Sequence, residues 1–198
     1  MKRSVIILIV LAILALIMYT FFKGSYNTMV AKDENVKSAW SQVKNVYQRR
    51  LDLIPNLVNT VKGAANFEQE TLTKVIEARA KATQITVDPD KVTPEKLQEF
   101  QSAQGELSQA LGRLMVVSEQ YPQLKANQNF LDLQAQLEGT ENRITVERQK
   151  FNDITRDFNT YIRQFPKNIV ASMFGFSQRP YFESDPGAEK APTVDFSK

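Results

Sequence analysis

The chain has 198 residues, 42% of them hydrophobic and 24% charged, enough for one cored domain and an appendage. It has no cysteine and no histidine, which excludes thiol nucleophiles, Ser-His-Asp triads, His-ligated zinc and the Glu-x-x-His ligands of di-iron bundles. The net charge of +3 includes Lys2 and Arg3, and without them 23 basic side chains face 22 acidic ones, too even a balance for a nucleic-acid footprint.

Behind a basic head of residues 1–4, Val5 to Phe22 is apolar at every position but Thr20. A helix of that length is about 27 Å long, which spans a bilayer core. A secretory signal shares such a head and run. Here, however, the exit from Ile17 to Lys23 lacks a small-x-small cleavage site, and the run exceeds a usual h-region. Tyr19, Phe21 and Phe22 suit the far interface, with Lys23 just beyond it. The expectation is an uncleaved single-pass anchor in the cytoplasmic membrane that meets the lipid bilayer through Val5 to Phe22. Basic residues flank both ends, Lys2 and Arg3 before the span and Lys23, Lys32 and Lys37 after it. The short basic head resembles an export signal, which places the body outside the cytoplasm.

The body reads as helices. Met29, Val36, Trp40, Val43, Tyr47, Leu51 and Ile54 form one amphipathic stripe, and Arg50 lies on it, seven residues beyond Val43. An arginine there buries its stem and directs its guanidinium to a carboxylate. Pro55 kinks this run or opens a new helix, so a second helix is expected from Leu57 to about Thr83, weakened at Gly63 and interrupted near Asn66. Turn residues Asp88, Pro89 and Asp90 follow. Thr93 then reads as an N-cap with Pro94 at the first position of a third helix, which carries Leu97, Phe100, Leu107, Leu111, Leu114 and Val117 and closes at Pro122. Gly105 and Gly112 share one face of that helix and suggest either a groove for a partner helix or a tight crossing inside the domain.

The last helix has the strongest period. Phe130, Leu137, Ile144, Phe151, Phe158 and Phe165 recur every seven residues. A heptad can mark an intermolecular coiled coil, but three other amphipathic helices offer an internal partner. The expected fold is all-α, an N-terminal transmembrane helix followed by an antiparallel up-and-down four-helix bundle over residues 25–174 and an irregular aromatic tail over 175–198. Phe151 should then tolerate no charge, whereas Asn152, one step round the helix, should be a neutral position.

Arg49, Arg50, Asp52, Glu141 and Arg148 are the candidates for a partner site or an internal polar network, with Glu141 a natural counter-ion for Arg50. In the tail, Phe174, Phe176, Tyr181 and Phe182 either strap the bundle or form a recognition segment. So much apolar area favours docking on the bundle. No Gly-rich phosphate loop, Walker pattern or GxSxG elbow occurs, so no cofactor is expected. The pairs Glu68 with Glu70 and Asp88 with Asp90 are ordinary on helix surfaces and in turns and lack the further oxygen ligands of a calcium loop, so no metal is expected either.

Several strings together resemble a known family: Tyr26, Asn27; Ala39, Trp40, Ser41, Gln42, Val43; Tyr47 through Val58, with Arg49 to Val58 the most specific; Thr60 to Gly63; Glu77 to Ala80; Glu141 to Ile144; and Phe174, Gly175, Phe176 with Tyr181, Phe182. The chain is similar to the LemA family from about Tyr26 to Phe196. That resemblance implies a membrane-tethered antiparallel helical bundle and supplies no catalytic residue. Two departures stand out. Relatives often carry His where this chain has Phe67, and many are anchored by a lipobox Cys where Gly24 and Ser25 precede Tyr26 here. The expected function is a non-enzymatic scaffold or adaptor for other membrane or envelope proteins, with homo-oligomers conceivable and no nucleic-acid partner. The alternatives are a hydrolase using carboxylates alone and a ligand-sensing bundle working through a separate signalling partner.

Overall fold

The computed structural model describes residues 3–63, 68–89 and 92–183. The expected interruption near Asn66, the departure at Phe67, the Asp90 half of a carboxylate pair and the tail beyond Glu183 lie outside them. Every regular element among the described residues is helical, as the sequence predicts: α1 (Arg3–Lys62), α2 (Gln69–Gln84), α3 (Pro94–Ser118), α4 (Pro122–Lys125), α5 (Gln128–Arg163) and α6 (Lys167–Phe174).

The first correction concerns Pro55. No new helix opens there, because α1 continues through it to Lys62, and the second helix begins only at Gln69. A proline inside a helix removes the N–H that would bond the carbonyl four residues earlier, here Leu51. Arg79 on α2 replaces it, donating from Nε to the Leu51 carbonyl at 2.9 Å. The orphaned acceptor is buried and satisfied from a neighbouring helix, so the chain has no reason to break.

From Val5 to Phe21 the side chains of α1 are exposed, and Ser25 is the first buried one. This apolar stretch is long enough to cross a membrane and none of it is buried by the other described residues. The anchor and the start of the body are therefore one uninterrupted helix. The chain is a membrane-anchored helical protein.

Contacts fix the helix directions. Lys32 meets Asp157 and Arg50 meets Glu141, so α5 runs antiparallel to α1. Arg79 lies beside Leu51, so α2 also runs back along α1, whereas Phe100 and Gln104 follow Trp40 and Arg50 in the same order, so α3 runs with it. The core has two parts. The one nearer the anchor gathers Met29, Trp40, Val43, Tyr47, Phe100, Phe151 and Phe158, and the farther one Leu51, Ile54, Leu57, Leu72, Leu107, Leu114 and Phe130.

α3 starts as expected, with the Thr93 hydroxyl accepting from the Lys96 amide at 3.3 Å. Glu95 in its first turn is held below the usual carboxylate range by a hydrogen bond from its own backbone and by the Thr93 side chain. The heptad of α5 is buried from Phe130 through Phe158, but Phe165 is not part of it: the helix ends at Arg163 and Phe165 is 82% exposed. Pro166, next in the chain, has no amide to extend the ladder. Of the two glycine readings, the tight crossing fails. A Cβ placed on Gly105 or Gly112 meets no atom of the described residues within 4 Å, so neither marks a close helix crossing inside the domain.

Candidate functional site

Arg50 is 2% exposed at the junction of the two core regions. Its Nη1 donates to Ser108 Oγ at 2.9 Å and to Glu141 Oε2 at 2.8 Å, and its Nη2 donates to the Gln104 side-chain and backbone oxygens. The Tyr47 ring lies 5.2 Å from the guanidinium carbon. Three helices thus converge on one cation. Its Nε is buried without an acceptor among the described residues. Of the other candidates, the structure brings Arg148 near: with Glu141 and Arg50 it lines a cleft of about 550 Å³ beside α3, together with Gln101, Ser102 and Gly105. Arg49 and Asp52 point away to solvent, where Asp52 accepts from Gln48 at 2.8 Å. They do not join this network.

The cleft is amphoteric and rich in amides. Its two helical carboxylates are both held by cations, Glu141 by Arg50 and Glu106 by Lys81 at 2.6 Å. Among the described residues no group of acidic side chains has the arrangement of a metal site. Chemically, such a cleft can accept and donate hydrogen bonds.

One end of the cleft is made by the tail, which runs back along α5 as extended chain. Asn159 Nδ2 donates to the Arg179 carbonyl and its Oδ1 accepts from the Arg179 amide, both at 2.8 Å. Asn152 does the same for Phe182, at 2.9 Å each way. The spacing matches: seven helical residues rise about 10.5 Å, and three extended ones span about 10 Å. Arg179 also reaches Asp33 on α1 with Nη2 at 2.8 Å and Nε at 3.2 Å. Asn152 is therefore not the neutral position that its place beside the heptad suggests.

The four tail aromatics divide. Phe182 is buried, stacked on Trp40 at 5.7 Å and 17°, edge-on to Phe151 and under the Arg148 guanidinium. Phe176 is partly buried between Tyr26 and Phe158. Phe174 and Tyr181 remain 53% and 42% exposed. Sequence reasoning missed Asn152, Asn159, Asp33 and Arg179. The available signal was two asparagines seven apart, each next to a buried heptad phenylalanine.

Comparison with known proteins gives a consistent result. The chain is 29% identical over 155 residues to Protein LemA of Metamycoplasma hominis, covering 78% of this chain and 67% of that protein. It is 26% identical over 208 residues to Magnetosome protein MamQ 2 of Paramagnetospirillum magneticum, covering 94% and 74%. Magnetosome protein MamQ of Magnetospirillum gryphiswaldense is 25% identical over 210 residues, covering 95% and 76%. A model of the LemA family matches residues 39–196, beginning at the Ala39-Trp40 string and leaving Tyr26 and Asn27 before it. With most of its length matched, and with the cleft, the tail and the buried arginine all inside the matched region, the chain belongs to the LemA family.

Proposed function

We propose that the chain is a non-catalytic, membrane-tethered scaffold that presents its helical body to other membrane or envelope proteins, with the body outside the cytoplasmic membrane. The observation that carries this reading is the continuity of α1. A single helix leaves the apolar stretch and becomes the central element of the core, so the body stands on its anchor without a flexible joint. From Lys23 to Lys62 that helix extends about 60 Å beyond the span, an exposed flank suited to lateral contacts. Against the carboxylate-hydrolase alternative stands the pairing of Glu141 with Arg50 and of Glu106 with Lys81, which leaves neither free to move a proton on a substrate.

The test uses photoreactive residues at Val116 and Val146, which are 69% and 60% exposed on α3 and α5. Irradiation of intact cells should give discrete adducts with proteins that have membrane spans of their own. The absence of adducts from both positions would remove the scaffold reading. Because the chain lacks native cysteine, Gln123→Cys reports the side: an impermeant thiol reagent should label it in intact cells. Protection until the membrane is broken would reverse the orientation.

A further inference from the structure

The outward face of α6 carries apolar side chains that the described residues leave largely uncovered. Ile169 is 47% exposed, Met173 66% and Phe174 53%, while Val170 and Ala171 on the inner side are buried against the bundle. Ile169 and Met173, four residues apart, lie on one side of the helix. Phe165, just before it, adds a ring that is 82% exposed. Four large apolar groups clustered in so short a stretch form a patch, not the scattered exposure that is normal for a surface.

The height of this patch follows from the register of α5 on α1. Lys32 meets Asp157, and the two helices run antiparallel. Seven residues down α1 lies Ser25, and seven residues up α5 lies Gln164, so α5 ends level with the exit of the apolar span. Ring contacts confirm the level independently. Phe174 lies 4.8 Å from Tyr26, four residues beyond Phe22, and Phe22 itself packs against the core cluster nearer the anchor. Cations ring the same height: Lys23 on α1, Arg163 in the last turn of α5 and Lys167 at the start of α6.

We infer that α6 is an interfacial foot, lying in the bilayer surface beside the span with Phe165, Ile169 and Met173 in the headgroup and acyl boundary and the three cations at the lipid phosphates. The occupant of the patch is lipid, because the patch is continuous with a segment already in lipid and has the apolar-plus-basic composition of interfacial helices. An untethered helix of eight residues would bind a membrane poorly. Here the span has already brought it to the surface, so the contact is intramolecular and a few side chains suffice. The foot gives the body a second point of attachment and fixes its tilt and rotation about the anchor.

This inference rests on the reading of Val5 to Phe22 as a membrane span, and the experiment separates the two. The full chain is placed in nanodiscs of phosphatidylcholine and phosphatidylglycerol, with a solvatochromic dye on one cysteine at a time: Met173→Cys, Leu14→Cys or Gln123→Cys. All three native side chains are exposed, so none of the changes disturbs the core. Nitroxides are supplied on lipids, either high on the acyl chain or at the bilayer centre. The dye at 173 should be blue-shifted and quenched by the shallow nitroxide several-fold more than the dye at 123, while the dye at 14 responds best to the deep one. If 173 is quenched no more than 123 while 14 is quenched, the foot is wrong and the span stands. A blue-shifted but unquenched dye at 173 means that protein covers the patch, which also overturns it. No quenching at 14 removes the span and the foot with it.

Discussion

Arg50 and Glu141 form one ion pair with two very different environments, since the arginine side chain is 2% exposed and the glutamate 53%. Removing the glutamate strands a buried cation among the neutral oxygens of Gln104 and Ser108, whereas removing the arginine leaves a carboxylate that water can reach. Breaking a buried pair so that a charge stays behind costs about 3–5 kcal/mol, whereas leaving the neutral Gln104 oxygens without their donor costs about 1–3 kcal/mol. Glu141→Ala should therefore destabilise the body more than Arg50→Met does. Denaturant midpoints measured on the two variants in the same detergent decide the matter, and the reverse order would show that the arginine is held mainly by its neutral partners. This residue was legible in the sequence because an arginine at a core position of a helix has few options. Its partners Gln104 and Ser108 were not legible, because an amide and a hydroxyl on another helix leave no periodic mark.

At the scale of the element, α1 shows where local rules mislead. Pro55 reads as a kink or a new helix start, and α1 continues through it because the lost hydrogen bond is replaced by Arg79 from α2. Arg79→Ala leaves the buried Leu51 carbonyl without a donor, a loss of about 1–3 kcal/mol. In a Pro55→Ala background the new amide at position 55 can bond that same carbonyl, so the cost of Arg79→Ala should shrink. A double-mutant cycle read from thermal or denaturant midpoints measures this coupling, and additive costs would mean that Arg79 acts through something other than Leu51. The heptad of α5 illustrates the opposite case. Five of its six members are buried, and the sixth, Phe165, fails because a repeat in sequence carries no knowledge of where the helix stops. Glycine spacing was a weaker guide still, since small residues seven apart on α3 face open space.

For the molecule as a whole, the central question is what the tail does to the bundle. The four long helices and their order were readable because each buries a periodic stripe, and periodicity is local information, whereas the short α4 and α6 were not. The extended strap was not, because backbone bonds to asparagine side chains depend on two distant segments meeting in register. Those bonds nevertheless hold segment 176–183 over the core near the anchor, with Phe182 stacked on Trp40. Each asparagine makes two hydrogen bonds to the tail backbone, and losing both contributes on the order of 2 kcal/mol. The combination Asn152→Ala and Asn159→Ala should therefore release Arg179 and Phe182 together while leaving α1 and α5 folded. Trp40 is the single tryptophan of the chain, so it reports the event directly. Its emission should shift to the red as Phe182 leaves and water reaches the indole face, with far-ultraviolet ellipticity kept and amide exchange at Arg179 and Phe182 accelerated. An exposed asparagine on the same helix supplies the control, because Asn142→Ala removes a similar side chain without touching the strap. Unchanged tryptophan emission in the double variant would mean that aromatic packing and the Arg179–Asp33 pair hold the tail and that the two asparagines merely accompany them.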